Sequence, residues 1–156
     1  MPIKGLEDNA IKTSIETLNA CLSDVIVLRL ALKQAHWNMK GKSFIGIHEL
    51  FDTVAARVAE TEDTMAERIQ VLDGQAVGTA EAIVKSSRLA PYPTDLVDEM
   101  KHVKEISIRF ADVGAALREA IDTVSEAGDE GTADLFTAAS RQFDKDLWFI
   151  ESHLGK

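Results

Sequence analysis

The sequence has little of what secreted, membrane-spanning or nucleic-acid-binding proteins rely on. It contains 1 cysteine, Cys21, so no disulfide can form within the chain; we expect a reducing, cytoplasmic setting and leave association with a bacterial nucleoid open. We expect no signal peptide, and the longest apolar run, residues 25–32, is broken by Arg29 and is too short to span a bilayer. The 17 basic residues are outnumbered by 26 acidic ones, and the net charge of −9 argues against a general nucleic-acid or membrane-surface binder.

Strand-like alternation, internal repeats and Gly-rich phosphate loops are also missing, while apolar residues recur every three or four positions. The predicted helices cover about residues 8–39, 44–72, 94–126 and 132–153. Gly74 is expected to end the second helix in the C′ position, and residues 79–84 predict a short helix within the connection 73–93. We therefore predict one all-α domain, residues 1–156, folded as a ferritin-like four-helix bundle with a short helix in its long connection.

Two pairs of residues on the predicted second helix carry the most chemical information. His48 and Asp52 are four residues apart, and so are Asp63 and Glu67, eleven residues further on. Because an α-helix has 3.6 residues per turn, all four side chains share one face. Asp52 and Asp63 are then about 16 Å apart along the axis. Metal–ligand bonds are about 2 Å long, so one straight helix cannot bring all four residues to one ion.

Two antiparallel copies of this helix, crossing on a twofold axis near Arg57 and Val58, would bring the two pairs of residues together. The first pair of one chain would face the second pair of the other, and an isologous dimer would contain two such sites. The competing interpretation is a solvated helix face, on which charged residues four apart are common. The neighbouring apolar stripe and a further histidine, His36, near the end of the preceding helix favour a metal site. Two imidazoles and three carboxylates suit iron, manganese or zinc.

The ordered donor set resembles that of the Dps family, the ferritin-like proteins first described as DNA-binding proteins from starved cells. The five positions that match the family pattern are His36, His48, Asp52, Asp63 and Glu67. Further matching segments are residues 33–38, 44–45, 48–49, 63–68, 132–134 and 147–151. The resemblance implies that the five residues form an intersubunit di-iron ferroxidase centre.

The resemblance also implies a hollow homo-oligomeric shell, a dodecamer, that oxidises Fe²⁺ with hydrogen peroxide or dioxygen and stores Fe³⁺ as mineral, which protects the cell from oxidative damage. In such shells acidic residues near the turn between the last two helices surround an uptake pore. Asp134 matches best, with Asp129 and Glu130 as further candidates; otherwise these acids belong to a solvated loop. Glu49 is a candidate for helping to nucleate mineral.

Other functions and weaker signals stay open at this point. A DNA-compacting nucleoid protein is the main alternative function. DNA binding in the family usually uses a basic tail, which the first dozen residues do not supply. A catalytically silent shell is the second alternative. Trp37 either packs or quenches oxidising equivalents, and Trp148 is expected to pack. We interpret Glu99 and His102, spaced as Glu-x-x-His, as part of a solvated face, because no second such motif exists.

Overall fold

The chain, represented by a computed structural model that describes residues 3–155, forms four long helices and one short one. The helices are α1 (Asp8–Asn38), α2 (Phe44–Val71), α3 (Ala80–Ser86), α4 (Glu99–Ala127) and α5 (Glu130–Glu151), followed by a 3₁₀ turn (Ser152–Leu154). No strand is present between residues 3 and 155, where the nearest approach to a sheet is one isolated bridge between Lys40 and Asp98. The prediction of an all-α four-helix bundle with a short helix in its long connection is confirmed.

The start of α4 differs from the prediction by five residues. Asp98 is the N-cap and accepts a hydrogen bond from the Lys101 backbone N–H at 2.9 Å. Just before the cap, the Lys40 N–H donates to the Val97 carbonyl at 2.7 Å, and the Glu99 N–H donates to the Lys40 carbonyl at 3.1 Å. This backbone pairing with the α1–α2 turn holds the residues before Glu99 extended, which helical periodicity alone does not reveal.

The end of α2 also corrects a prediction, because the left-handed residue after the helix is Asp73 and not Gly74. Asp73 has φ +65°. Its N–H donates to the Gln70 carbonyl, and the Gly74 N–H donates to the Ile69 carbonyl, both at 2.9 Å, as in a Schellman motif. Gly74 is needed for space instead, since a Cβ there would lie 2.8 Å from Ile15 Cδ1.

The apolar sides of the long helices meet in one core. Its largest fully buried side chains include Phe51, Phe110, Phe136 and Phe143, drawn from α2, α4 and α5. The expectation that Trp148 packs in this core is wrong for the single chain, because its side chain is 64% exposed; its ring lies 5.0 Å from that of the neighbouring Phe149, tilted by 34°. No helix within residues 3–155 combines the length and apolarity that crossing a bilayer requires.

The interpretation of Glu99 and His102 as a solvated face is wrong, since both side chains are buried. The Glu99 carboxylate accepts the Ser43 N–H at 2.9 and 3.1 Å and so satisfies the N-terminus of α2. His102 Nε2 donates to the Leu96 carbonyl at 3.1 Å, which leaves Nδ1 to accept from the Tyr92 hydroxyl at 2.6 Å. These two residues fasten the α1–α2 turn and the long connection to α4.

Burial lowers the pKa of His102 below its ordinary value of 6.5, and this gives a prediction about acid stability. As the pH falls through 6.5, the unfolded chain binds a proton that the folded chain resists, so the stability contributed by neutral His102 is present above this pH and lost below it. We expect His102→Leu to lower the free energy of unfolding by roughly 2 kcal/mol at pH 7, because it leaves the Tyr92 hydroxyl and the Leu96 carbonyl unpaired. The same variant should lose less further stability than the wild type between pH 7 and pH 5.

Urea unfolding at the two pH values measures this difference. His153→Leu is the matched control, because His153 is exposed in the C-terminal turn, away from the contacts of His102. Equal pH slopes for the wild type and His102→Leu would contradict the prediction.

Candidate metal centre

The turn between α1 and α2 brings His36 and His48 together. His36 lies in the last turn of α1 and His48 in the second turn of α2. The chain reverses between them over a few residues, and the two imidazole rings stack with centroids 3.7 Å apart and an interplanar angle of 17°. The structure thus places the two histidines side by side.

Each histidine is oriented by the backbone of the other. His36 Nδ1 is 2.8 Å from the His48 carbonyl oxygen, and His48 Nδ1 is 2.8 Å from the His36 carbonyl oxygen. A carbonyl oxygen only accepts, so each Nδ1 carries the hydrogen and donates it. In the neutral rings the lone pair is therefore on Nε2, which is the nitrogen left for a metal. Metal-binding histidines are commonly held this way, with the second ring nitrogen donating to a carbonyl or carboxylate.

Asp52 supplies a carboxylate close to these nitrogens. It lies on α2, one turn after His48, and its Oδ1 is 4.0 Å from His36 Nε2. The side chain is 59% exposed and Lys33 Nζ donates to the same Oδ1 at 2.6 Å. The hydrogen bond and the positive charge of Lys33 lower the pKa of Asp52, so the group is an anion at neutral pH. The sequence predicted no role for Lys33 at this site, although its position three residues before His36 puts it on the same side of α1.

Asp63 and Glu67 lie further along α2 and are exposed. Neither carboxylate has a hydrogen bond or ion pair to another residue in the described range 3–155. Because α2 is one uninterrupted helix from Phe44 to Val71, the spacing predicted from the sequence applies, and Asp63 stays about 16 Å from Asp52 along the axis.

One chain by itself does not complete a metal site. Within residues 3–155 no three His, Cys, Asp or Glu side chains are close enough together to hold a metal ion. His36, His48 and Asp52 form one half of the candidate centre, and Asp63 with Glu67 form the other. The crossing of two α2 helices near Arg57 and Val58, which would join the halves, stays a prediction.

The prediction that Asp129 lines the uptake pore is not supported by its position in the structure. Its side chain is buried and serves as the N-cap of α5, where it accepts from the Thr132 N–H at 3.0 Å and the Thr132 hydroxyl at 2.5 Å. Ser14 and Arg68 also donate to it, at 2.8 and 2.9 Å. Burial would raise the pKa of Asp129, but these hydrogen bonds and the Arg68 charge hold it below the usual range. The carboxylate joins α1, α2 and α5 and is not free to line a pore.

The other two pore candidates are on the surface. Glu130 is exposed and accepts a hydrogen bond from the Ser125 hydroxyl at 2.8 Å, and Asp134 is exposed one turn further along α5. Glu49 is likewise exposed beside His48. Their assignment to a pore or to the cavity of a shell stays a prediction.

Known proteins that are similar to this chain in sequence and in structure belong to one group. A family model described as a ferritin-like domain matches residues 15–156. The DNA protection during starvation protein of Agrobacterium fabrum is 46% identical over 96% of this chain and 92% of its own length. The protein of the same name from Mycolicibacterium smegmatis is 31% identical over 97% of this chain and 82% of its own length.

Among solved structures, DpsA14 from Streptomyces coelicolor superimposes with a TM-score of 0.94 at 31% identity, over 98% of this chain and 90% of that one. The tetragonal form of Dps from Mycobacterium smegmatis superimposes with a TM-score of 0.92 at 30% identity, over 99% and 93% of the two chains. These likenesses extend over nearly the whole chain, including both helices that carry the candidate donors. The chain belongs to the Dps family of ferritin-like proteins.

Proposed function

We propose that the protein is a ferroxidase and iron-storage shell that oxidises Fe²⁺ with hydrogen peroxide, or with dioxygen, and keeps the Fe³⁺ as mineral in its cavity. The observation that supports it most is the pair of crossed hydrogen bonds at His36 and His48, which leaves both Nε2 lone pairs available, with that of His36 4.0 Å from Asp52 Oδ1. A second chain related by a twofold axis would add Asp63 and Glu67.

The donor set fits iron as substrate. Imidazole nitrogen binds ferrous iron well, and carboxylate oxygens, which are harder donors, stabilise the ferric product relative to the ferrous reactant. Five side chains cannot enclose two ions completely, so positions remain for an oxidant.

Pairing the two ions decides which products form. Two ferrous ions give one electron each to one hydrogen peroxide molecule, whose O–O bond breaks, and two protons are taken up to make two water molecules. A single ferrous ion delivers only one electron and would release a hydroxyl radical. A paired centre thus removes iron and peroxide together, and this is how we propose that the protein protects DNA, the activity in the name of the relative from Agrobacterium fabrum.

Direct DNA compaction is the alternative function, and the charge distribution does not favour it. Ile3 and Leu6 pack against the helical core, so the described start of the chain is attached to the bundle rather than free. Each chain carries a net charge of −9, and a shell of twelve multiplies the repulsion of phosphate.

The intersubunit centre predicts a complementation pattern. His48→Ala and Asp63→Ala assemblies should each lose most of the fast ferrous oxidation, because each variant removes one half of every site. When the two variants are co-expressed in equal amounts, half of the dimers are mixed and one of their two sites is intact, so about a quarter of the sites should recover. Stopped-flow absorbance of the ferric product measures the rate.

Co-expression of His48→Ala with Asp52→Ala is the control, since both changes lie in the same half. A mixed dimer of this pair has one damaged histidine side and one damaged aspartate side, and no intact site. Equal recovery in the two mixtures would rule out the twofold arrangement.

The proposed uptake pore predicts an effect on the approach of iron rather than on its binding. Asp134→Asn should slow iron uptake a few-fold at low salt, and the difference should shrink as salt screens the approaching ion. Glu81→Gln, which removes an exposed acid on α3, is the control. Zinc affinity at the centre, measured by calorimetry, should be the same in both variants; a salt-independent loss would assign Asp134 another role.

If the protein compacted DNA directly, it would shift the band of duplex DNA in a gel-mobility assay. We expect no such shift. At physiological salt and neutral pH, in metal-free buffer, the assembly should leave the mobility of duplex DNA unchanged, because DNA binding depends on neutralising phosphates with basic side chains. Protection of DNA against iron and peroxide should nevertheless be measurable and should be lost in His36→Ala. A clear mobility shift under these conditions would restore the chromatin role.

A further inference from the structure

Lys33 lies directly beside Asp52, one of the candidate metal ligands. It lies three residues before His36 on α1, and its Nζ donates to Asp52 Oδ1 at 2.6 Å. His36 Nε2 is 4.0 Å from the same oxygen. The ammonium group and the free imidazole nitrogen therefore converge on one carboxylate oxygen, so a metal ion bound to both His36 and Asp52 would lie close to the Lys33 charge.

This ion pair differs from an ordinary surface pair. The Lys33 side chain is 26% exposed, so most of it is packed against the protein, while its partner Asp52 is largely exposed. Lys33 also has a second partner within reach, because its Nζ is 5.7 Å from the ring centroid of Trp37, one turn further along α1. A cation near an aromatic face keeps part of its stabilisation after it leaves a carboxylate.

The geometry points to Lys33 as an internal counter-ion of the centre, which holds Asp52 before metal binds, competes with the metal for that carboxylate, and moves toward Trp37 when the metal arrives. The inference rests on the proposed function, since it takes Asp52 as a metal ligand. In this role Lys33 does not bind the metal itself but lowers the affinity of the centre for metal.

The charges around Asp52 explain why a lysine would be placed there. In the proposed dimer Asp52 would face two further acids of the partner chain, so a metal-free centre would gather three negative charges. One ammonium group offsets part of that repulsion and allows the halves to meet without metal. The same positive charge repels an incoming divalent ion and must be displaced, so the metal-free form is stabilised and metal affinity is reduced.

Zinc binding tests the inference without any redox chemistry. Calorimetric titration of Zn²⁺ into metal-free assemblies of the full chain should give an affinity about tenfold higher for Lys33→Met than for the wild type, because the competing charge is gone. Lys33→Arg keeps the charge and should bind no more tightly than the wild type. Lys12→Met, an exposed lysine near the other end of α1, is the matched control and should match the wild type.

Thermal unfolding gives a second readout. Metal-free Lys33→Met should have a lower Tm than the wild type, and the same excess of zinc should raise its Tm by more, because the stabilisation by a ligand at a given concentration increases with the logarithm of its affinity. If Lys33→Met does not assemble, Lys33→Gln, which keeps a polar group without the charge, takes its place in both measurements.

His48→Ala separates failure of the inference from failure of the proposed function. If His48→Ala weakens zinc binding but neither uncharged Lys33 variant binds more tightly than the wild type, the counter-ion role is overturned and the metal centre stands. If His48→Ala binds zinc as the wild type does, the centre itself is overturned and the counter-ion role with it.

Discussion

The crossed hydrogen bonds between the rings and backbones of His36 and His48 are the interaction on which the candidate centre depends. They join the last turn of α1 to the beginning of α2, and they also decide which nitrogen of each ring is left for a metal. The turn that permits them is itself held from α4, because Glu99 accepts the Ser43 N–H and the backbone of Lys40 pairs with the segment before α4. The orientation of the two rings thus depends on contacts from α1, α2 and α4.

The second constraint is the stiffness of α2. A continuous helix of 28 residues separates its two groups of donors by a distance that no side chain can bridge, so the centre stays divided unless another chain supplies the missing half. Polar contacts hold α2 in place along its length: Arg57 pairs with the buried Asp146 of α5, and Arg68 pairs with Asp129 at the start of α5. Both arginines lie on α2, so the helix that carries most of the donors is fixed at two points to the last helix of the bundle.

Charge is used in two different ways in this molecule. Buried carboxylates such as Asp24, Asp129 and Asp146 each have an arginine partner, because an unpaired charge in the interior is costly. The exposed carboxylates Asp63 and Glu67 have no partner in the described chain and remain available. Asp52 is between these cases, since it is exposed yet held by Lys33.

The sequence by itself determined the helices, the bundle class and the intervals among His36, His48, Asp52, Asp63 and Glu67, because periodicity and spacing are local properties of a chain that turns every 3.6 residues. The tertiary structure alone decided the features that depend on which helices face each other. These are the Nδ1–H form of both histidines, the hold of Lys33 on Asp52, the burial of Glu99 and His102, and the bonds of the buried Asp129 to Ser14 and Arg68. Each involves a partner 12 or more residues away in the sequence, or a burial that only the packed bundle produces, so no local pattern could reveal it.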